Sequence, residues 1–543
     1  MEDGLSFHVD KSTKAPSFPT LVPARDPGRI ALWCFVLISV AFAVGHAALR
    51  LSFDVALNPA DSLEIIASQD LKPNYSPRQP PLYTWLMWGA VQVLGPGALA
   101  VQIVKYGLMS IAAIGFYTAG LAATKEHVRA AIGALSVLML FNVGFTIHDQ
   151  STHSVALIAA IGLLCLGYAM LGRDARISGF VVIAVSGALA VLSKHSAWIL
   201  LVAFPAAFLL QNSLRQRILS PKFLAAMATI VVAALPMILF LLVHRDETAG
   251  HLTGTFAMKP DESIWIGRLW AQAMLFGGAL ILLGPVALLL WLTFPEARFG
   301  WTSVVKKADV LTSVRALRPV PQAFVTAALI AFVVIVVGLI ASGATKVPSR
   351  HLLVVAIPLT LALAWCLPLG SLNLRNFFRF AGIVVALQLA LMASRAAGYA
   401  FPGKPFCKRC SQAMPVAALA ERLDSLGLSH ATLITEDRVP GANLRTFLPN
   451  LRVIYLVLPN WVAPKQVMAE ATDDQAKCVY LGQGSKKPIW KAHNSFAPET
   501  LRAEVAKVTP IEFSAPWPQM LNGERRVSTW RIYPLPAELE VCQ

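Results

Sequence analysis

Apolar and polar positions fall in long alternating blocks along this chain. Apolar runs of membrane-crossing character lie near residues 30–49, 98–122, 130–146, 154–171, 177–193, 196–211, 223–243, 270–293, 322–342, 351–369 and 380–396. A helix rises about 1.5 Å per residue and a bilayer core is about 30 Å thick, so roughly 20 apolar residues span it. The pattern therefore predicts an α-helical polytopic membrane protein with about eleven transmembrane helices. A further apolar run, 80–95, is shorter and sits between Pro80-Pro81 and Gly95-Pro96. It is expected as an interfacial or re-entrant helix rather than a span.

Beyond residue 397 the blocks give way to shorter alternations. Strand-like runs (Ala431–Thr435, Val453–Leu458, Cys478–Leu481, Val527–Tyr533) mix with helical stretches (Pro415–Leu426, Ala497–Val508). This predicts a small α/β domain over 398–543. Residues 1–29 are polar and Pro-rich and read as a cytoplasmic tail without a cleavable signal peptide. The membrane domain is expected over 30–397, with its first outer loop at 50–97.

Composition agrees: 56% of the 543 residues are hydrophobic and 14% are charged, well below the roughly 25% charge of a soluble domain. The net charge of +16 does not call for nucleic acid, because no basic–aromatic patch accompanies it. Its cations instead gather in alternate loops: Lys11 to Arg29, Lys125 and Arg129, Arg173 and Arg176, Arg215 to Lys222, Arg298 to Arg318, Arg375 and Arg379. If all eleven runs cross, these loops share one face, which the positive-inside rule makes cytoplasmic. The opposite, periplasmic face then receives loop 50–97, residues 147–153, 194–195, 343–350 and the C-terminal domain. Of seven cysteines, Cys34, Cys165 and Cys366 lie in apolar runs. Cys407, Cys410, Cys478 and Cys542 belong to the outer domain, where disulfides are expected; three pairings are open, and a zinc site is the rival.

Candidate chemistry collects on the outer face. Asp61 follows Asn58-Pro59 at a helix start; alone, it would be read as a carboxylate stabilising a helix N-terminus. Glu64 stands one turn further on the same face. The next outer loop holds His148, Asp149 and His153, an ordinary polar turn on the plainer reading. Lys194, Arg78 and Arg350 are cations on the face where positive charge is disfavoured; snorkelling at the interface is the plain account of Lys194. No nucleotide-binding or zinc-protease motif occurs.

The stretch Asn58-Pro59-Ala60-Asp61-Ser62-Leu63-Glu64, followed by Gln79-Pro80-Pro81-Leu82-Tyr83-Thr84-Trp85, resembles the first outer loop of the GT-C membrane glycosyltransferases. It is most similar to glycosyltransferase family 39, which is protein O-mannosyltransferase-like, and to the lipid A aminoarabinose transferases. Leu192-Ser193-Lys194-His195 resembles a Leu-Ser-Lys-Tyr element of the family, and Arg350-His351 an Arg-Trp element. The resemblance implies an inverting enzyme that moves a sugar from a polyprenyl-phosphate donor to a glycolipid acceptor of lipopolysaccharide or lipid A type. The rhizobial galacturonosyl transferases are the narrowest version of it. It implies Asp61 as catalytic base and Asp149 as a second catalytic residue, with Lys194, Arg350 and Arg78 at the donor phosphate. Glu64, His148 and His153 would then contact substrate or hold a divalent metal. The family's second acid falls here on Ser62, so a paired-acid site is not expected. A protein acceptor, a flippase for lipid-linked sugars and a membrane scaffold are the rivals.

Overall fold

The computed structural model describes residues 26–53, 56–150, 152–255, 264–294, 319–345, 348–368, 370, 372–403, 405, 410–458, 477–484, 498–518, 523 and 525–542. The N-terminal tail before residue 26, Cys407, and the basic loop from Arg298 to Arg318 lie outside them.

A long first helix, α1 (Pro27–Leu51), is started by the Asp26 side chain, which accepts from Gly28 N. The outer loop that follows carries two short helices, α2 (Pro59–Ala67) and α3 (Leu82–Leu94). Then come α4 (Ala98–Thr124), α5 (His127–Val137), α6 (Phe141–Gly144), α7 (Ile147–Gln150), α8 (His153–Arg173), α9 (Ile177–Ser193) and α10 (Ala197–Leu209). Next are α11 (Asn212–Ile218), α12 (Pro221–Val243), α13 (Arg245–Thr255), α14 (Ile264–Thr293), α15 (Pro319–Ser342), α16 (Leu353–Trp365) and α17 (Leu374–Ala400).

Every predicted span is helical, but the expected count of full crossings is corrected by length. Among the described residues seven helices are long and apolar enough to cross a membrane, or up to eight if a bent pair counts as one. The bent pair is α5 with α6–α7, broken by 73°. The turn at the break is tight: a methyl group on Gly144 would run into the Leu138 carbonyl oxygen. Three predicted spans are short. Helix α9 has 17 residues and α10 has 13, about 25 and 20 Å of helix, and α16 also has 13. The turn at Lys194–Ser196 falls where the sequence separates the two apolar runs, and the basic helix α11 follows the second run.

Helices α4 and α8 cross closely. A Cβ on Gly115 would lie 2.6 Å from the Gly162 backbone, so only glycine at this crossing lets the two helices approach this far. Both helices are largely buried, and each delivers a polar residue to one common end: Lys105 from α4 and His153 from α8.

The C-terminal part contains α18 (Val416–Ser425), α19 (Arg438–Phe447), α20 (Glu499–Lys507) and a five-stranded sheet. Its strands are β1 (Thr432–Thr435), β2 (Arg452–Tyr455), β3 (Cys478–Gln483), β4 (Ile511–Pro516) and β5 (Val527–Leu535), in the order β2-β1-β3-β5-β4. β1 pairs parallel with β2 and β3, whereas β5 pairs antiparallel with β3 and β4. The four expected strands are present; β4 and α19 are additional. A disulfide joins Cys478 on β3 to Cys542, and Cys410 is also disulfide-bonded.

Candidate active site

The site is built on α2. Asn58 caps it: its Oδ1 accepts from Ala60 N (2.9 Å) and Asp61 N (3.0 Å), and Pro59 takes the first helical position, where a missing N–H costs nothing. The same Asn58 donates through Nδ2 to Asp61 Oδ2 at 2.5 Å. Asp61 is 2% exposed and meets Lys105 Nζ at 3.1 and 3.2 Å through its two oxygens. Lys105 also donates to the His148 carbonyl at 3.0 Å, tying α4, α2 and α7 together. Burial pushes the Asp61 carboxyl up from its ordinary range, against the downward pull of the Lys105 charge and the Asn58 amide.

One turn on, Glu64 is buried with both oxygens engaged. Oε2 accepts from Thr84 Oγ1 at 2.8 Å; Oε1 faces His153 Nε2 at 2.9 Å and accepts from Thr152 Oγ1 at 3.4 Å. Asp149 is drawn into a separate pair: its oxygens accept from Arg395 at 3.4 Å and from the Tyr399 hydroxyl at 3.0 Å. Arg395 also donates to His46 Nδ1 at 2.8 Å, and the His46 ring stacks on His148 at 4.0 Å. His148 itself has both ring nitrogens occupied, by the Tyr106 hydroxyl (2.7 Å) and the Gly144 carbonyl (2.9 Å). Among the described residues no group of three or more His, Cys, Asp or Glu is placed to hold a metal ion.

The expected cations separate. Lys194 lies in the turn between α9 and α10, 5% exposed, and its Nζ donates to Ser154 Oγ at 2.7 Å. No carboxylate among the described residues pairs with it. Burial and, less strongly, the nearby Arg350 charge push its ammonium down to about 7. Arg350, just before α16, is exposed and within electrostatic reach. The structure thus brings Lys194 to the N-terminal end of α8, one residue from His153, with Arg350 within electrostatic reach of it. Arg78 is exposed and within electrostatic reach of Tyr455 rather than of Lys194. Only its neighbour is tied to the cationic turn, through Pro77 O and His195 Nε2 at 3.1 Å.

The sequence reading passed over Lys105, Tyr106, His46, Arg395 and Tyr399. The signal was present: each is a polar residue within or at the end of an apolar run, which a membrane helix tolerates only with a partner. The C-terminal part also reaches the site. Asn443 Oδ1 on α19 accepts from Leu57 N at 2.6 Å, Arg445 donates to the Ile65 carbonyl at 2.9 Å, and Gln69 exchanges two 2.8 Å bonds with the Val453 backbone.

Residues 78–240 match the family model described as dolichyl-phosphate-mannose-protein mannosyltransferase. With a buried carboxylate and a lysine that no described carboxylate pairs with, both held in a polytopic helix bundle, the chain is similar over that segment to the membrane glycosyltransferases of this family. Its relatives include two proteins of Rhizobium johnstonii. It is 24% identical over 438 residues to the lipopolysaccharide core galacturonosyltransferase RgtA, covering 79% of this chain and 82% of RgtA. It is 24% identical over 231 residues to the lipopolysaccharide core galacturonosyltransferase RgtB, covering 42% of this chain and 46% of RgtB. In fold it is similar to ArnT from Cupriavidus metallidurans bound to undecaprenyl phosphate, with a TM-score of 0.53 at 14% identity, covering 95% of this chain and 99% of that one. The apo state of the same enzyme also superposes with a TM-score of 0.53, covering 92% of this chain and 98% of that one.

Proposed function

We propose that this enzyme transfers one sugar from a polyprenyl-phosphate carrier to a glycolipid acceptor of lipopolysaccharide or lipid A type, with inversion at the anomeric carbon. The observation that carries the reading is Lys194. A buried ammonium without a carboxylate partner is costly unless an anion completes it, and Arg350 beside it suits a phosphate. The acceptor assignment rests on the similarity to RgtA over most of the chain, and the carrier also on the lipid named with ArnT. The narrower galacturonosyl version rests on RgtA and RgtB alone.

In this reading Asp61 takes the proton of the acceptor hydroxyl as its oxygen attacks the anomeric carbon. The carbon–oxygen bond to phosphate breaks, and the electron pair leaves with the polyprenyl phosphate. Lys194 and Arg350 balance that leaving charge. Lys105 and Asn58 hold the Asp61 carboxylate in place, so that it does not have to reorganise as the proton arrives. Asp149 acts through Arg395 and Tyr399, orienting α7 against α17. Arg78, on the exposed loop, is the outermost contact for the carrier. We place the site on the periplasmic face of the bacterial inner membrane, a reading in which the short helices α9, α10 and α16 and the bent pair cross along with the seven long helices, so that the basic loops share the other side.

The test is a transfer assay on purified full-length protein with a polyprenyl-phosphate sugar and extracted envelope glycolipid, read by mass spectrometry. Mass gain of the glycolipid by one sugar, with release of polyprenyl phosphate, is expected. Modification of a protein hydroxyl instead would move the acceptor assignment to protein. Movement of the intact donor across vesicles without cleavage would replace the enzyme reading with a flippase.

A further inference from the structure

Two buried polar atoms of the site have no hydrogen-bond partner among the described residues: the Tyr83 hydroxyl and His153 Nδ1. Tyr83 is fully buried and His153 is 6% exposed. Their rings lie 5.6 Å apart, and Tyr83 is within electrostatic reach of both Asp61 and Glu64. Buried polar atoms are nearly always paired in native structures, because leaving one unpaired costs stability.

The surroundings fix what each atom can do. The Glu64 oxygens already accept from Thr84 and Thr152, the pattern of a carboxylate, which accepts only. The His153 Nε2 faces Glu64, which leaves Nδ1 as the ring atom open to a ligand. The Tyr83 hydroxyl can donate and accept. Two unpartnered hydrogen-bonding atoms on rings 5.6 Å apart suit the hydroxyl groups of a pyranose ring, each of which can donate and accept.

We infer that Tyr83 and His153 form the subsite that recognises the hydroxyls of the donor sugar, a deduction that rests on the donor reading above. The donor rather than the acceptor sugar is assigned here because of α8. Its first residue is His153, and the next, Ser154, receives the hydrogen bond of Lys194, the cation assigned to the phosphate. Donor sugar and donor phosphate share one bond, so adjacent residues of one helix turn can hold both.

The experiment compares binding of a polyprenyl-phosphate sugar with binding of sugar-free polyprenyl phosphate to full-length wild type, Tyr83→Phe and His153→Gln. Tyr83→Phe keeps the ring and removes only the unpaired hydroxyl, so it should fold and unfold at or above the wild-type temperature. It should bind the sugar-bearing donor about 3–10-fold more weakly, the effect of one neutral hydrogen bond, and bind the sugar-free lipid as wild type does. His153→Gln should show the same selective loss. Unchanged discrimination by both variants would overturn the subsite while leaving the donor reading intact. Normal donor binding with a raised KM for acceptor would also overturn it, by placing the acceptor sugar there. A wild type that binds neither lipid would overturn the donor reading and the subsite together.

Discussion

At the scale of single residues, two lysines in apolar surroundings have opposite situations. Lys105 is neutralised by Asp61; Lys194 is not neutralised by any described carboxylate. Removing Lys105 alone should therefore strand a buried carboxylate, a change that typically costs roughly 3–5 kcal/mol of stability. Lys105→Met should unfold at lower temperature, and the double variant Lys105→Met with Asp61→Asn should recover most of the loss without regaining activity. Lys194 gives a pH signature. Its ammonium, lowered to about 7, is present below that pH and lost above it. A phosphodiester donor keeps its single charge throughout, so donor affinity should be highest below pH 7 and fall above it by up to about tenfold per pH unit. Lys194→Arg, which stays charged, should flatten that fall; a wild-type affinity independent of pH from 6 to 9 would remove Lys194 from the phosphate. Asp61 contributes the other limb. Its carboxyl is raised by burial, and a base must be deprotonated, so transfer should fail on acidification at a pH above the ordinary carboxylate range of about 4.

At the scale of elements, the helix carrying Asp61 is held from three sides: by its own cap, by α4 through Lys105, and by α19 through Asn443. The cap was legible, because Asn58-Pro59 is a helix-start signal in any sequence. The clamp was not. Helix α19 contains Pro440-Gly441, which hides it from propensity, although Pro440 sits harmlessly in the first turn after the Asp437 cap. Its contact with Leu57 joins residues 386 positions apart, and nothing local announces that. Asn443→Ala leaves the Leu57 N–H without this partner, which should lower kcat while donor binding at Lys194 stays near wild type. Equal losses in kcat and donor affinity would mean general unfolding rather than a loosened α2. The helices themselves were legible as apolar runs, but not every break in them: the 73° bend after Val137 interrupts the run 130–146, which hydropathy reads as continuous.

At the scale of the whole molecule, the helix bundle supplies the cations and the sheet-bearing part steadies the acid between them. The Cys478–Cys542 bond closes the sheet's last strand and C-terminal turn onto β3 across 64 positions, and constraining a loop of that size is worth about 4 kcal/mol in the chain-entropy account. Reduction, or Cys478→Ser, should make this part unfold at lower temperature and weaken transfer through loss of the α19 clamp; full activity after verified reduction would show that the clamp does not depend on the bond. The central claim is that Asp61 does chemistry and Lys194 holds the donor. The most direct measurement is sugar transfer and donor binding by purified Asp61→Asn, side by side with Lys194→Ala. Loss of a general base typically costs about 10²–10⁴-fold in rate, so Asp61→Asn should bind the lipid-linked sugar normally and turn it over at that reduced rate, while Lys194→Ala should lose donor binding as well. Near-normal transfer by a folded Asp61→Asn protein would contradict the account.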